Sequence, residues 1–368
     1  MAGGGGDDSV DEKLLWKQIL AVSFFVIFNI ALIEFSSWAL TKDRWPGFHF
    51  PYFYTMFHMI VSVSASFLLQ WLVIKPKLGG PTFQQLWDYK QLIIPMGICT
   101  FLTNGLNNES LSLITLSLNQ AIKATLPMPI MLFSFLFAKK TYSAFLMFVV
   151  FFLCLGSVLS VSYKFAHNQG GSEFAGVVMC VVGMLAASIK PVLVMMLTSG
   201  LQGDITKLEP TVVIVYDCGI AFTLMLITWL CFDERQESIA YLSDPDTRAI
   251  GIIIIAIGST MAFAFNLSNF YFITLTTTLT AAVGGSGVKV LLILVSAVQA
   301  GVTDPVSWCG IGTVIISLCV YTYLTLENSM EMTQPCSYWL SMENRKPPAP
   351  DKKDIDERVM ETTPLVKP

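Results

Sequence analysis

The chain contains about ten apolar stretches of roughly 20 or more residues, and their length limits the folds that it can adopt. One helix of that length crosses the hydrocarbon core of a bilayer, which is about 30 Å thick. Of the 368 residues, 54% are hydrophobic and 13% are charged, whereas soluble domains carry about 25% charged residues. The sequence therefore predicts an all-α polytopic membrane protein.

Short polar or charged segments separate most of the predicted spans. The two least marked breaks lie beside Asn108 and near Phe270, where no charged loop separates the neighbouring spans. The spans run over residues 17–39, 51–74, 91–109, 111–138, 142–162, 174–199, 210–232, 248–270, 272–300 and 305–326.

Ten spans divide into two sets of five, and an odd number per set makes the second set insert in the opposite orientation. Inverted repeats of this kind are common in secondary transporters, which bind substrate near the bilayer midplane between the repeats. We predict one ten-helix transporter domain over 17–327, with repeats over 17–162 and 174–327. The flanking segments 1–16 and 328–368 are expected to be disordered.

Basic residues in the short loops indicate the orientation, because cytosolic loops carry an excess of lysine and arginine. A cytosolic N-terminus places Lys75, Lys77, Lys139 and Lys140 on the cytosolic side. We therefore expect both termini in the cytosol. The start of the chain has the features of neither a signal peptide nor a transit peptide, so insertion is expected to depend on the first apolar helix.

Three lysines lie inside the apolar stretches: Lys123, Lys190 and Lys289. A lysine at the centre of an inserted helix costs roughly 2.5–3.5 kcal/mol. Such charges are tolerated only beside a watery cavity or a charged partner. Lys123 and Lys289 also fall in the fourth span of their respective halves. Buried cations placed in this way around a cavity indicate a binding site for an anion that crosses the membrane.

The segment around Lys123 is rich in polar groups. Gln120, Lys123 and Pro127 share one helical face, and Asn119 lies alongside. Pro127 and Pro129 are expected to kink the helix and to free polar groups toward the cavity. Amide donors beside an ammonium group suit a phosphate. The alternative is a lysine paired with an intramembrane acid for packing alone.

A glycine run, Gly284–Gly287, precedes the second of these lysines, with Ser286 one turn from Lys289 on the same face. The glycines would let a ligand or backbone approach closely and can unwind a turn; close helix packing is the alternative. Lys190 precedes Pro191, which predicts a bend. Its side chain either reaches the cavity or extends to the membrane interface.

Three acids inside or beside the spans are candidate charge partners for these lysines: Glu34, Glu109 and Asp217. One or more of them would neutralise a lysine in the empty site, or would carry a proton during transport. Asn266 and Asn269 share a face of the eighth span. They are placed either to contact a sugar or to bond neighbouring helices.

Other function classes are disfavoured. A formal net charge of −4 without a basic face argues against a nucleic-acid partner. The eight cysteines form no C-x-x-C pair, so neither a metal site nor a disulfide framework is expected. The sequence has no nucleophile elbow, P-loop or H-E-x-x-H motif, and we expect neither an enzyme nor a cofactor.

Three segments carry motifs of one transporter family. Phe50–Phe53, followed by Thr55 and His58, is similar to the opening of that family's second helix. Residues 108–127 resemble its N-x-S-L … Q-x-I-K-A-x-x-P signature, and residues 279–289 resemble its L-T-x-x-V-x-G-x-x-K signature. The chain thus resembles, over about residues 17–327, the sugar-phosphate and nucleotide-sugar translocator family of the drug/metabolite transporter superfamily.

The resemblance implies a ten-helix antiporter that exchanges phosphorylated sugar species by alternating access. It gives Lys123 and Lys289 phosphate-facing positions and assigns Lys190 to a basic position of the sixth helix. Plastid-type members have Lys-Arg where this chain has Lys289-Val290, and many members have Asn-Lys where this chain has Ser36-Ser37. The first difference and the missing transit peptide disfavour plastid triose-phosphate exchange.

We therefore expect an antiporter in the Golgi or ER membrane that exchanges a nucleotide sugar for a nucleoside monophosphate. Its phosphate would be held by Lys123 and Lys289, with Gln120, Ser286 and Asn266 orienting the substrate. The alternatives are a plastid-type sugar-phosphate/phosphate exchanger and a non-transporting trafficking or scaffold protein with the same fold. The sequence leaves open the sugar, the nucleobase, proton coupling and the formation of a homodimer.

Overall fold

The computed structural model describes residues 8–40, 47–74, 81–161, 171–199, 208–299 and 304–331. Within these ranges the secondary structure is helical. The predicted disordered tail, 328–368, lies outside the described residues except for its first four, and residues 1–7 lie outside them as well.

The helices are named here in chain order. The first seven are α1 (Asp8–Leu40), α2 (Pro51–Leu69, followed by π-helical Gln70–Ile74), α3 (Phe83–Asp88), α4 (Lys90–Leu113), α5 (Leu116–Ala124), α6 (Pro127–Ala138) and α7 (Ala144–Leu159). The remaining six are α8 (Gly171–Ser199), α9 (Pro210–Cys231), α10 (Glu234–Ser243), α11 (Pro245–Leu275), α12 (Thr278–Gln299) and α13 (Pro305–Glu331). Helix α1 thus begins at Asp8, inside the segment predicted to be disordered.

Eight described segments are long and apolar enough to cross a membrane: Trp16–Leu40, Pro51–Leu72, Leu116–Ala138, Phe174–Thr198, Pro210–Cys231, Pro245–Leu275, Thr278–Val295 and Pro305–Thr325. The protein is therefore an all-α polytopic membrane protein. The two other predicted spans coincide with α4, whose sequence is less apolar, and with α7, which has only 16 residues.

Two predicted boundaries between spans were wrong, and threonine capping explains both. Helix α4 continues past Asn108 to Leu113, and α5 begins only after Thr115, whose Oγ1 accepts a hydrogen bond from the Leu118 backbone N–H. Helix α11 likewise continues past Phe270 to Leu275. The Thr277 Oγ1 then accepts the Thr280 backbone N–H at 3.1 Å. A threonine side chain that satisfies a free N–H group fixes where each following helix begins.

The proline and glycine predictions had different outcomes. The fourth span breaks between Ala124 and Pro127 into α5 and α6, which places Lys123 in the last turn of α5. Helix α8 runs through Pro191 without ending. The glycine run Gly284–Gly287 does not unwind, because it lies within the continuous helix α12.

The chain forms two compact units, residues 1–319 and residues 320–368. The described part of the second unit is the C-terminal end of α13. In the first unit a large apolar cluster joins α1, α4, α8, α9 and α11 through side chains that include Phe25, Ile93, Leu197, Val213 and Phe272. Two of its members, Phe25 and Phe270, also line the cavity described below.

Candidate functional site: a lysine-lined cavity between the helices

A cavity of about 320 Å³ lies between helices α1, α2, α4, α5, α6, α8, α11 and α12. Its wall includes buried apolar side chains such as Phe25, Ile130 and Phe270 and partly exposed residues such as Leu40 and Asn107.

Lys123, Lys190 and Lys289 all line this cavity, although they come from three different helices. Lys123 stands in the last turn of α5, where the negative end of the helix dipole stabilises a cation. Lys289 lies on α12, and its Nζ folds back to 3.7 Å from the site that a Cβ on Gly285 would occupy. Within the described chain, neither Lys123 nor Lys289 has a carboxylate within ion-pair distance.

Lys190 has a different environment. Its Nζ lies 2.8 Å from Oδ2 of Asp217 on α9, and the other oxygen, Oδ1, accepts a hydrogen bond of 2.5 Å from Thr100 on α4. Asp217 is fully buried. The Phe270 ring also lies close to the Lys190 ammonium group, 5.4 Å from Nζ to the ring centroid. This ion pair joins three helices and neutralises Lys190.

Two of the four predicted polar site residues line the cavity. Gln120 is buried, and its Oε1 has no hydrogen-bond partner within the described part of the chain. Asn266, on α11, also lines the cavity. The unpaired Gln120 oxygen is available to a ligand, because a buried amide without a partner is unfavourable.

The other two predicted site residues, Asn119 and Ser286, are absent from the cavity wall. Asn119 is fully buried, and its Nδ2 donates to Asn107 Oδ1 and Ser110 Oγ, each at 3.1 Å, so it binds α5 to α4. The Ser286 hydroxyl donates to the Ala282 backbone carbonyl one turn earlier. Helical spacing predicted that these side chains lie near the lysines in the cavity. In the structure the rotation of each helix points them into buried packing instead.

Of the candidate acids, Asp217 alone contacts one of the three lysines in the described structure. Glu34 is exposed and is not part of the cavity wall. Glu109 lies near Tyr52, with which it shares a side-chain hydrogen bond. The difference follows from helix rotation, since a side chain at membrane depth reaches a lysine only if its face of the helix turns toward the cavity.

Sequence reasoning missed a row of amides along the cavity. Asn104, Asn107 and Asn108 occupy positions i, i+3 and i+4 of α4, and all three line the wall. Asn108 Nδ2 donates to Thr55 Oγ1 at 2.8 Å, which anchors the row to α2. The i, i+3, i+4 spacing within an apolar stretch was the signal that would have identified this face. Asn29, on α1, adds a further amide.

His58, which belongs to one of the family motifs in the sequence, also lines the cavity. It is 7% exposed, its Nε2 has no partner among the described residues, and its ring packs 4.0 Å from that of Tyr54. The histidine therefore packs against one neighbour and leaves one ring nitrogen without a partner among the described residues.

The chemistry of the site is electrostatic and hydrogen-bonding. Among the described residues, the charged side chains of the cavity wall are those of the three lysines. No group of three or more His, Cys, Asp or Glu side chains suited to a metal occurs in the described ranges. Ammonium and amide donors around a low-dielectric cavity can hold an anionic, hydroxyl-bearing molecule without covalent chemistry.

Comparison with known proteins agrees with this chemistry. No family model matches the chain. A probable sugar phosphate/phosphate translocator of Arabidopsis thaliana is 23% identical over 88% of this chain and 91% of its own length. UDP-URONIC ACID TRANSPORTER 1 of the same plant is 27% identical over 83% of this chain and 93% of its own length.

A solved structure described as "Crystal structure of protein" has the same fold, with a TM-score of 0.56 at 13% identity, over 86% of this chain and 98% of that chain. The curated relatives are named as translocators and transporters, not as enzymes. The resemblance indicated by the sequence motifs is confirmed, because relatives of these names cover most of the chain and are consistent with the sugar-phosphate/nucleotide-sugar translocator family.

Proposed function

We propose that the chain is an antiporter that carries a nucleotide sugar across an endomembrane in exchange for a nucleoside monophosphate. One observation supports this most directly: lysines from three helices line a single cavity, and two of them lack a carboxylate partner in the described structure. Unpaired cations at membrane depth are unfavourable without an anion. The empty site is therefore expected to resist reorientation, which couples each crossing to a bound anion.

In this proposal Lys123 and Lys289 bind phosphate, while Gln120 and Asn266 orient the substrate by hydrogen bonds. The amide row on α4 faces the hydroxyl-bearing part. A cavity of about 320 Å³ lies in the size range of sites that hold drug-sized molecules. That volume and the UDP-uronic acid transporter among the relatives support a nucleotide sugar as the cargo.

Helix packing supports ten spans in two inverted repeats and hence alternating access. In such a repeat α1 corresponds to α8, α2 to α9, α4 to α11 and α5 to α12. The most extensive packing partners are α4 with α8, α2 with α9, α1 with α11, α4 with α9, α2 with α11 and α5 with α12. If each helix in this list is replaced by its counterpart in the other repeat, the same list of pairs results. A two-fold axis between the repeats requires this.

A sugar-phosphate/phosphate exchanger is the second candidate. It is supported by the printed names of several relatives, which are probable sugar phosphate/phosphate translocators. Such a protein would use the same lysines with a smaller cargo, and the amide row would contact the sugar hydroxyls.

Thermal unfolding of the purified protein distinguishes these functions. The ligands are nucleoside monophosphates, nucleotide sugars, small sugar phosphates and inorganic phosphate. A ligand at 100 times its Kd stabilises the folded state by about 2.7 kcal/mol. We expect stabilisation by one nucleoside monophosphate and its sugar conjugates. Stabilisation by phosphate and small sugar phosphates alone would favour the second candidate, and a folded protein that responds to none would contradict both.

A further inference from the structure

The ion pair between Lys190 and Asp217 sets one of the three cavity lysines apart. Asp217 is fully buried and uses both carboxylate oxygens, one for the Lys190 ammonium group at 2.8 Å and the other for the Thr100 hydroxyl at 2.5 Å. A carboxylate held on both sides has little freedom to move. Lys190 keeps access to the cavity, with 16% of its side chain exposed.

The described structure gives a simple charge balance for the empty cavity. With every lysine counted as protonated and His58 as neutral, the three lysines contribute +3 and Asp217 contributes −1, which leaves +2. Glu34 and Glu109 are absent from the wall. Without Asp217 the same wall would carry +3, and without Lys190 it would carry +1.

We propose that Asp217 is a positioning residue that sets the charge of the cavity at +2 and so determines which anions the site prefers. The inference rests on the proposed function and names the charge class of its substrates. A phosphate monoester carries about −1.5 to −2 at pH 7, and a nucleoside diphosphate linked to an uncharged sugar carries one negative charge on each of its two phosphates. Both of these exchange partners match the cavity, whereas a nucleoside diphosphate, or a nucleotide sugar with an acidic sugar, has a further negative charge and exceeds it.

The physical reason is the low dielectric constant of the site. Between unit charges several ångströms apart, an effective dielectric constant near 20 still gives an interaction large enough to change affinity by on the order of tenfold. An anion with too few charges leaves a lysine uncompensated, and one with too many leaves a negative charge uncompensated. In both cases an uncompensated charge remains, which is unfavourable in a membrane interior.

Four proteins test the proposal: the wild type, Asp217→Asn, Lys190→Gln and the double variant, with wall charges of +2, +3, +1 and +2. Inorganic phosphate and pyrophosphate are the probes, and their Kd values are measured by calorimetry on purified, folded protein. We expect Asp217→Asn to shift the ratio of affinities toward pyrophosphate on the order of tenfold. Lys190→Gln should weaken both ligands, and the double variant should return to the wild-type ratio.

Asp246→Asn is the matched control, because it removes the same charge at an exposed position outside the cavity. Its ratio should equal that of the wild type. Lys190→Gln leaves a buried carboxylate without a cation and is the variant most exposed to misfolding. The near-isosteric Asp217→Asn protein and the double variant carry the test without it.

One result overturns the inference: in Asp217→Asn the ratio of phosphate to pyrophosphate affinity stays within twofold of the wild-type ratio, and only the melting temperature falls. The ion pair would then be a packing contact alone. A double variant that fails to return to the wild-type ratio would also overturn the inference, since Lys190 would then contact the anion itself. A wild-type protein that binds neither probe would contradict the proposed function, and this inference with it.

Discussion

Glu234 forms the N-terminal cap of a helix that lies 181 residues earlier in the chain, because its Oε1 accepts the Phe53 backbone N–H at 2.8 Å. Its Oε2 accepts the Tyr52 N–H at 3.3 Å. Phe50, the residue that precedes α2, supplies no side-chain cap of its own. The carboxylate thus joins the start of α10 to the first turn of α2, outside the spans of α9 and α11.

This contact predicts a pH-dependent stability. Burial raises the pKa of the Glu234 carboxyl to about 7, and the nearby Glu109 and Glu237 raise it further against the opposing effect of the two N–H donors. The folded state therefore binds a proton between about pH 4.5 and 7 that the unfolded state releases. Stability from this group is complete at the acidic end of that window and is lost as the pH rises through 7.

Glu234→Gln should remove this dependence, because glutamine does not titrate. We expect the wild type to gain on the order of 1–3 kcal/mol relative to the variant between pH 7.5 and pH 5. Thermal unfolding of both proteins across that range measures the difference. Parallel melting-temperature profiles for the two proteins would show that Glu234 does not titrate in this way.

Neutralising Lys123 or Lys289 should weaken anion binding strongly while the protein still folds. Each substitution to glutamine removes an uncompensated cation from the cavity, so a loss of at least tenfold in phosphate affinity is expected. Lys90→Gln is the matched control, since this lysine stacks on Trp87 at 3.8 Å and does not line the cavity. Wild-type affinity in both cavity variants would contradict the proposed site.

Asn119 and Gln120 should respond differently to alanine, although they are adjacent. Asn119→Ala leaves Asn107 and Ser110 without their buried donor and should lower stability by about 1–3 kcal/mol. Gln120→Ala removes a cavity group whose Oε1 has no partner among the described residues. Its main effect should therefore be on substrate affinity rather than on stability. Melting temperature and Kd, measured on both variants, separate the roles; a larger loss of affinity in Asn119→Ala would reverse the assignment.

Gly258 should tolerate no side chain. A Cβ at this position would clash with the Tyr54 side chain, 2.6 Å from two of its ring carbon atoms. We expect Gly258→Ala to destabilise the protein by about 1–3 kcal/mol through overpacking. Gly219→Ala is the control: nothing lies within 4 Å of its added Cβ, and alanine favours a helix over glycine by about 0.5–1 kcal/mol. Unfolding of the two variants should therefore shift in opposite directions.

The sequence predicted the helical membrane fold well, because a long apolar run has few structures available in a bilayer. It also identified Lys123, Lys190 and Lys289, since a cation at membrane depth is conspicuous in the sequence. The starts of α5 and α12, at Leu116 and Thr278, were missed. Threonine caps decide those starts, and a threonine inside an apolar stretch gives little local signal.

The candidate site was predicted only in part, for a geometric reason. Helical spacing states which residues share a face, and it correctly grouped Gln120 with Lys123, but it does not state which way that face turns. Asn119 and Ser286 therefore appeared equivalent to Gln120, whereas the structure places both in helix packing. The row Asn104, Asn107 and Asn108 was overlooked although its i, i+3, i+4 spacing within an apolar stretch marks one helical face.

The sequence by itself determined that the chain is helical and membrane-embedded and that it carries three buried cations. Composition, length and the cost of charge in a bilayer are local properties that can be read from one segment at a time. Only the tertiary structure decided that Lys190 is neutralised by Asp217, while Lys123 and Lys289 face the cavity without a described partner. Pairing depends on how helices distant in sequence rotate and pack against one another, and no single segment contains that information.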